Sequence, residues 1–140
     1  DEFYEVEPED YRPVLIEPGN YPAELVDWSK EYSRQFRKLT LVMNFRIGAH
    51  VIPSWFNIEP SDSDTTVKAG WKSNFLRMYQ ECLNVRLERR DRISMKPFAG
   101  RILEVEVASI TRDSDGSLMS EVNHYSRVKK ILGVREEVTH

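Results

Sequence analysis

The stretch WSKEYSRQFRK alternates aromatic rings with basic side chains. Trp28, Tyr32 and Phe36 stand four residues apart, with Lys30 and Arg34 between them. In an extended chain all five side chains share one face, because side chains alternate with a period of two. In a helix the three rings would form an i, i+4 stripe instead. Rings and cations on one extended face favour binding of single-stranded nucleic acid, because rings stack on unpaired bases and cations contact phosphates.

Two neighbouring rings, Trp55 and Phe56, follow in the third predicted strand, where they must point to opposite faces. We expect Trp55 at the surface, because Phe56 shares its face with Ile52 and Ile58. An exposed Trp55 would offer a further platform for a base.

Cations also accompany the remaining predicted strands and one connector. On the last strand Tyr125, Arg127 and Lys129 share a face, and four arginines and a lysine fall within residues 86–96. Guanidinium groups suit phosphates, although such charge is often only solvated. The predicted nucleic-acid contacts are Trp28, Lys30, Tyr32, Arg34, Phe36, Lys38, Arg46, Trp55, Arg89, Arg90, Arg92, Tyr125 and Arg127.

Residues for catalysis are sparse. His50, His124 and His140 are far apart in the sequence, and Cys82 lies on the apolar stripe of a predicted helix, where an inert buried thiol is expected. The chain contains no P-loop, no Gly-rich dinucleotide turn, no CxxC pair and no HExxH. We therefore expect a protein that is not an enzyme and needs no cofactor.

Two acidic motifs could in principle bind a metal. Asp113-x-Asp115-Gly116 lacks the other ligands of a calcium loop and predicts a turn. Glu104 and Glu106 could hold a nuclease metal, but on a strand they are more simply a solvent-facing pair. We predict no metal site and keep a metal-dependent nuclease as a remote alternative.

Composition points to one globular domain with an uneven charge. The 140 residues carry 31% charged and 40% hydrophobic residues, and the single cysteine fits a reducing cytoplasm. No apolar run approaches the length of a transmembrane helix. Residues 1–27 have a net charge of −8 and residues 28–140 of +5, which hints at a polyanionic partner.

Hydrophobic patterns predict three strands, one helix and two further strands. Pro53 suggests that the third strand is an edge or contains a bulge. This order is the connectivity of an OB-fold, a partly open five-stranded barrel with one helix between strands three and four. An α+β open sheet with one covering helix is the alternative. The predicted strands cover residues 21–32, 37–47, 50–58, 100–112 and 120–132, and the predicted helix runs from Val67 to about Asn84. We expect three parts of the chain: an acidic extended arm (1–17), the domain itself (18–134) and a tail (135–140).

The pattern PGNYPAELVDW, LTLVMNFRI, WFNI, a helix and FAGRILEVEV…VKKIL resembles a family of small phage and mobile-element proteins. The family is regarded as OB-fold single-stranded DNA-binding proteins of replication and recombination, and the resemblance covers residues 18–132. It implies non-catalytic binding of single-stranded DNA with weak sequence preference in the cytoplasm of a bacterial host. Replication or recombination proteins and a second copy of the chain are the implied protein partners. A protein-interaction module of the same fold is the alternative function.

Overall fold

Alternating apolar and polar residues form the strands of an antiparallel sheet, and one amphipathic helix packs against two of them. The computed structural model describes residues 14–34, 37–113 and 115–135. The elements are β1 (Gly19–Ser33), β2 (Lys38–Ile47), β3 (His50–Asn57), β4 (Thr66–Val67), α1 (Asn74–Leu83), β5 (Ile93–Ser94), β6 (Ile102–Ile110) and β7 (Tyr125–Val134).

Five strands form the main sheet in the order β3-β2-β1-β6-β7, and every neighbouring pair is antiparallel. The short strands β4 and β5 pair only with each other. β3 and β7 are the two edges of the sheet, and they contact each other without a hydrogen-bonded ladder. The prediction of a mostly β protein with one α-helix between its third and fourth long strands is thus confirmed for the described residues, and the sheet is not closed into a barrel.

The core lies on one face of this sheet. Leu41, Met43 and Phe45 of β2 are fully buried, and their partners on β1 lie on the same face because directly paired residues share a side. The register shifts between Leu25 and Asp27, so one extra residue is inserted into β1 there. Side chains on either side of this bulge therefore continue along the core face.

Helix α1 is shorter than predicted. Val67 pairs with Ile93 in the two-stranded ribbon, and the helix begins only after Ser73, whose Oγ accepts a hydrogen bond from the backbone N–H of Leu76. A serine cap of this kind satisfies a donor that the first helical turn leaves open. Trp71 consequently lies outside the helix and is half-exposed. In the described chain no helix is long and apolar enough to cross a membrane.

Other predicted boundaries are close to the observed ones. The extended interpretation of the opening stretch is confirmed up to Ser33, and Pro53 does lie on an edge strand. The last strand starts at Tyr125 rather than at residue 120, because Glu121–Asn123 forms a single 3-10 turn. Most of the predicted acidic arm and all but residue 135 of the predicted tail lie outside the described residues.

Candidate nucleic-acid interface

Two aromatic side chains meet where the edges of the sheet approach each other. Trp55 on β3 and Tyr125 on β7 have ring centroids 6.3 Å apart and ring planes at 89°, an edge-to-face contact. Trp55 is 39% exposed, whereas Phe56 packs against Phe75 in the core, so the predicted division of the two neighbouring rings is confirmed. Pro53 has no backbone N–H, which removes one donor that β3 could offer to a further strand.

A groove of about 900 Å³ runs beside Trp55 between β3, α1 and β7, and we call it the seam groove. Thr40 and Asn57 contribute polar groups, and Glu81 is the acidic residue of its lining. The cationic side chains that line the groove are Lys72, Arg77, Arg127, Lys129 and Lys130. The groove thus combines an exposed indole with a strong excess of positive charge.

The acids of residues 14–34, 37–113 and 115–135 do not pair with these five cations. In the described residues none of them has a carboxylate oxygen within 4.0 Å, and the side chain of Arg77 makes only a long hydrogen bond of 3.5 Å to Asn74. Five other cations of the described residues do pair with acids: the ion pairs are Arg46–Glu24, Lys68–Glu59, Arg89–Asp91, Arg90–Glu59 and Arg135–Glu104. Within the described residues, the charge of the seam groove is therefore not neutralised by ion pairs.

Local irregularity in β7 supplies two of the groove's cations. The register with β6 shifts between Glu106 and Val107, and Lys129 is the residue without a direct partner there. Lys129 and Lys130 are consequently both exposed, although strict alternation would send one of them inward. The sequence pattern predicts that Tyr125, Arg127 and Lys129 share a face. This is confirmed for Tyr125 and Arg127, which pair with Ile110 and Ala108 on one face of β6, but not for Lys129, which has no direct partner.

The aromatic stretch of β1 has a different position from the one its composition suggests. Trp28, Lys30 and Tyr32 do share a face, but that face is the core side of the sheet. Trp28 packs against the core, and Lys30 Nζ donates to the carbonyl of Ser63 at 2.7 Å and to Ser61 Oγ at 3.1 Å. Tyr32, at the end of the strand, is 60% exposed and is more accessible than Trp28.

A second, smaller groove of about 440 Å³ lies beside Tyr32. Arg37 and Lys38 line it together with apolar residues, and Asn57 lines both grooves. The two grooves therefore adjoin at the end of β3. Arg34 is exposed in the turn after β1, and Phe36 lies outside the described residues.

Arg46 points outward from β2, as predicted. Its guanidinium lies 3.5 Å from a carboxylate oxygen of Glu24 on the neighbouring strand, and both side chains are exposed. This cation lines neither groove. Binding a phosphate there would first have to displace an acid.

The arginines of the 86–96 connector also lie apart from both grooves. Arg89 donates two hydrogen bonds to Asp91, at 3.1 and 3.2 Å, and this hydrogen bonding lowers the pKa of the Asp91 carboxyl. Arg90 is 2.8 Å from Glu59, and Arg92 is exposed. The structure thus does not unite this cluster with the aromatic residues.

The residues considered for metal or nucleophilic chemistry form no cluster with one another in the described part of the chain. Glu104 forms an ion pair with Arg135 at 3.4 Å, and no group of three or more potential metal ligands occurs in the described residues. Cys82 is buried on α1 as predicted, and burial raises the pKa of its thiol to about 11. A thiol with this pKa is a poor nucleophile at neutral pH.

Comparison with known proteins finds no match: no family model, no curated protein and no solved structure matches the chain. The geometry of the described residues is accordingly the basis for a functional proposal.

Proposed function

We propose that the protein binds single-stranded DNA without catalysis and with weak sequence preference. The observation that carries the proposal is the seam groove, in which the exposed indole of Trp55 lies among five cations that no acid of the described residues pairs with. Stacking of one base on an aromatic ring contributes about 1–3 kcal/mol and tolerates any base, because every base has a π-face. Cations along the same groove would hold the phosphates between the stacked bases.

The arrangement of strands supports this proposal. Because each neighbouring pair in the order β3-β2-β1-β6-β7 is antiparallel, the two edge strands β3 and β7 run in the same direction where they meet. This order, with α1 between the third and fourth long strands, fits a partly open OB-fold, an architecture that binds oligonucleotides on its strand 2–3 face and adjoining loops. Trp55 lies on β3 of that face.

Because the two grooves adjoin, they suggest a path for a single-stranded nucleic acid. A nucleic acid that passes Trp55 and Asn57 reaches Tyr32, where Arg37 and Lys38 line the second groove. Stacking sites at both ends and cations along the path would give a footprint within the range of about 4–16 nucleotides for one OB-fold. Tyr32 and Lys38 thus keep the role predicted from the sequence, while Trp28 and Lys30 support the fold.

We further propose a role in phage or mobile-element DNA replication or recombination, which is what the resemblance of residues 18–132 to that family implies. Such a role requires coverage of exposed single strands during DNA synthesis or exchange. It would also require the weak sequence preference proposed above, because the protein would have to bind whatever sequence is exposed.

Fluorescence anisotropy with labelled oligonucleotides tests the proposal. We expect a 20-mer single strand to bind more tightly than the duplex of the same length, because paired bases cannot stack on Trp55. A single-stranded RNA of the same sequence measures the preference for DNA. Equal or tighter binding of the duplex would reject the proposal, and absence of any binding would favour the protein-interaction module.

A further inference from the structure

The beginning of the described chain is fixed beside the seam groove. The carbonyl of Val14 accepts a hydrogen bond from the backbone N–H of Ser126 at 2.8 Å, and the N–H of Ile16 donates to Ser126 Oγ at 2.8 Å. Ser126 is buried, and its neighbours in β7 are Tyr125, which contacts Trp55, and Arg127, which lines the groove. Residues 1–13 therefore join the described chain next to the groove.

The charges of this segment and of the groove are complementary. Residues 1–13 contain six acids and one base, a net charge of −5, together with the rings of Phe3, Tyr4 and Tyr11. The seam groove has five cations and one acid, Glu81. Carboxylates can take the place of phosphates and rings the place of bases, so the segment offers the chemical groups that the proposed ligand offers.

We propose that residues 1–13 dock in the seam groove of their own chain and compete there with single-stranded nucleic acid. The competition rests on the proposed function, whereas the docking does not. Thirteen residues span up to about 43 Å when extended, at about 3.3 Å per residue, so the segment can follow the groove from its attachment at Val14. The anchor at Ser126 would keep one end of the segment beside Arg127.

Tethering sets the size of the expected effect. A short flexible tether gives an effective concentration in the millimolar range. If the free segment binds the groove with a Kd equal to that concentration, the groove is half occupied and apparent affinity for DNA falls about twofold. A tenfold tighter segment would lower it about tenfold. Salt would weaken the docking, because its main contribution is electrostatic.

Docking is tested without nucleic acid by comparing amide NMR spectra of the full chain, a chain lacking residues 1–13, and a full-length chain with D1N, E2Q, E5Q, E7Q, E9Q and D10N. We expect deletion and neutralisation to shift the same amides, those of Arg77 and residues 127–132, and expect 0.5 M NaCl to reproduce the shift in the full chain. Shifts confined to residues around Ser126, or identical spectra for the neutralised and native chains, would overturn the proposal.

A second measurement separates this inference from the proposed function. We expect the deleted and the neutralised chains to bind a single-stranded 20-mer at least about twofold more tightly than the full chain at low salt. If all three chains bind equally well, the competition is rejected while the proposed function stands. If none of them binds but the groove amides still shift, the proposed function fails and the docking stands.

Discussion

The indole of Trp55 and the phenol ring of Tyr125 meet edge-to-face, with centroids 6.3 Å apart, across a boundary that no backbone ladder bridges. The two residues are 70 positions apart in the chain and belong to opposite edges of the sheet. Their contact lies beside the cations of the seam groove, which Trp55 and Arg127 both line. Trp55 also lies directly opposite Val42, which is 7% exposed, so part of the indole packs against the sheet while the rest stays accessible.

Removal of the indole should weaken DNA binding. We expect Trp55→Ala to reduce affinity for a single-stranded 20-mer by about tenfold, because one base–ring stack contributes about 1–3 kcal/mol and 1.4 kcal/mol is tenfold. Trp71→Ala is the matched control, since Trp71 is also exposed but lines neither groove. Anisotropy titrations measure both. Equal losses for the two variants would contradict a specific role for Trp55.

Trp28, by contrast, should contribute to stability. Its ring packs against the core but is only half-buried. Truncation of a fully buried aromatic residue commonly costs about 3–5 kcal/mol, so we expect Trp28→Ala to lower the free energy of unfolding by about 2 kcal/mol. Tyr32→Ala should cost less than about 1 kcal/mol, because that side chain is mostly exposed. Urea unfolding monitored by circular dichroism distinguishes the two. An unchanged midpoint for Trp28→Ala would place its ring at the surface instead.

Local patterns in the sequence predict much of this fold. Period-two alternation locates β1, β2 and β6 to within a few residues, and the neighbouring apolar residues correctly assign Trp55 to the surface and Phe56 to the core. Pattern alone cannot tell which face of β1 is buried. That choice depends on pairing with Leu41 and Met43 of β2, and the bulge after Leu25 changes the phase of the alternation.

The composition of the candidate site is less predictable for a related reason. Sequence reasoning missed Lys72, Arg77 and Lys130, because their proximity to Trp55 depends on the approach of β3, β7 and α1. It also counted Arg46 and Arg90 as phosphate contacts, although each is paired with an acid from a distant part of the chain. The helical pattern does place Arg77 on the polar face of α1, but it cannot specify which strand that face adjoins.

Two exposed lysines should account for part of the salt dependence. We expect K129A/K130A to reduce the slope of log K against log salt by about 1.4, since each phosphate contact on a single strand contributes about 0.7. The matched control is R86A/K96A, which removes two exposed cations that line neither groove. Titrations at about 50 to 300 mM NaCl measure the slope for both double variants and for the unchanged chain. A larger change in slope for R86A/K96A would contradict this assignment and indicate that the phosphates contact the 86–96 connector instead.

The thiol of Cys82 should make the free energy of unfolding depend on pH, and its reactivity should report whether the chain is folded. Burial raises its pKa from the ordinary value of 9.0 to about 11, so the neutral thiol is favoured in the folded chain. The corresponding contribution to stability is present below pH 9 and is lost as the pH rises through 11. We expect iodoacetamide to modify the folded protein slowly at pH 8 and the urea-unfolded protein rapidly. Equal rates in the two states would contradict a buried thiol.

Tryptophan fluorescence of two single-tryptophan variants tests the central claim, that bases stack in the seam groove. W28F/W71F leaves Trp55 as the reporter in the groove, and W28F/W55F leaves Trp71 as an exposed reporter outside both grooves, so the two share the Trp28→Phe change. We expect a single-stranded 20-mer to quench Trp55 with a saturating titration and to leave Trp71 nearly unchanged, because stacking on a base quenches the indole directly. Quenching of Trp71 without quenching of Trp55, or quenching of neither, would contradict the account.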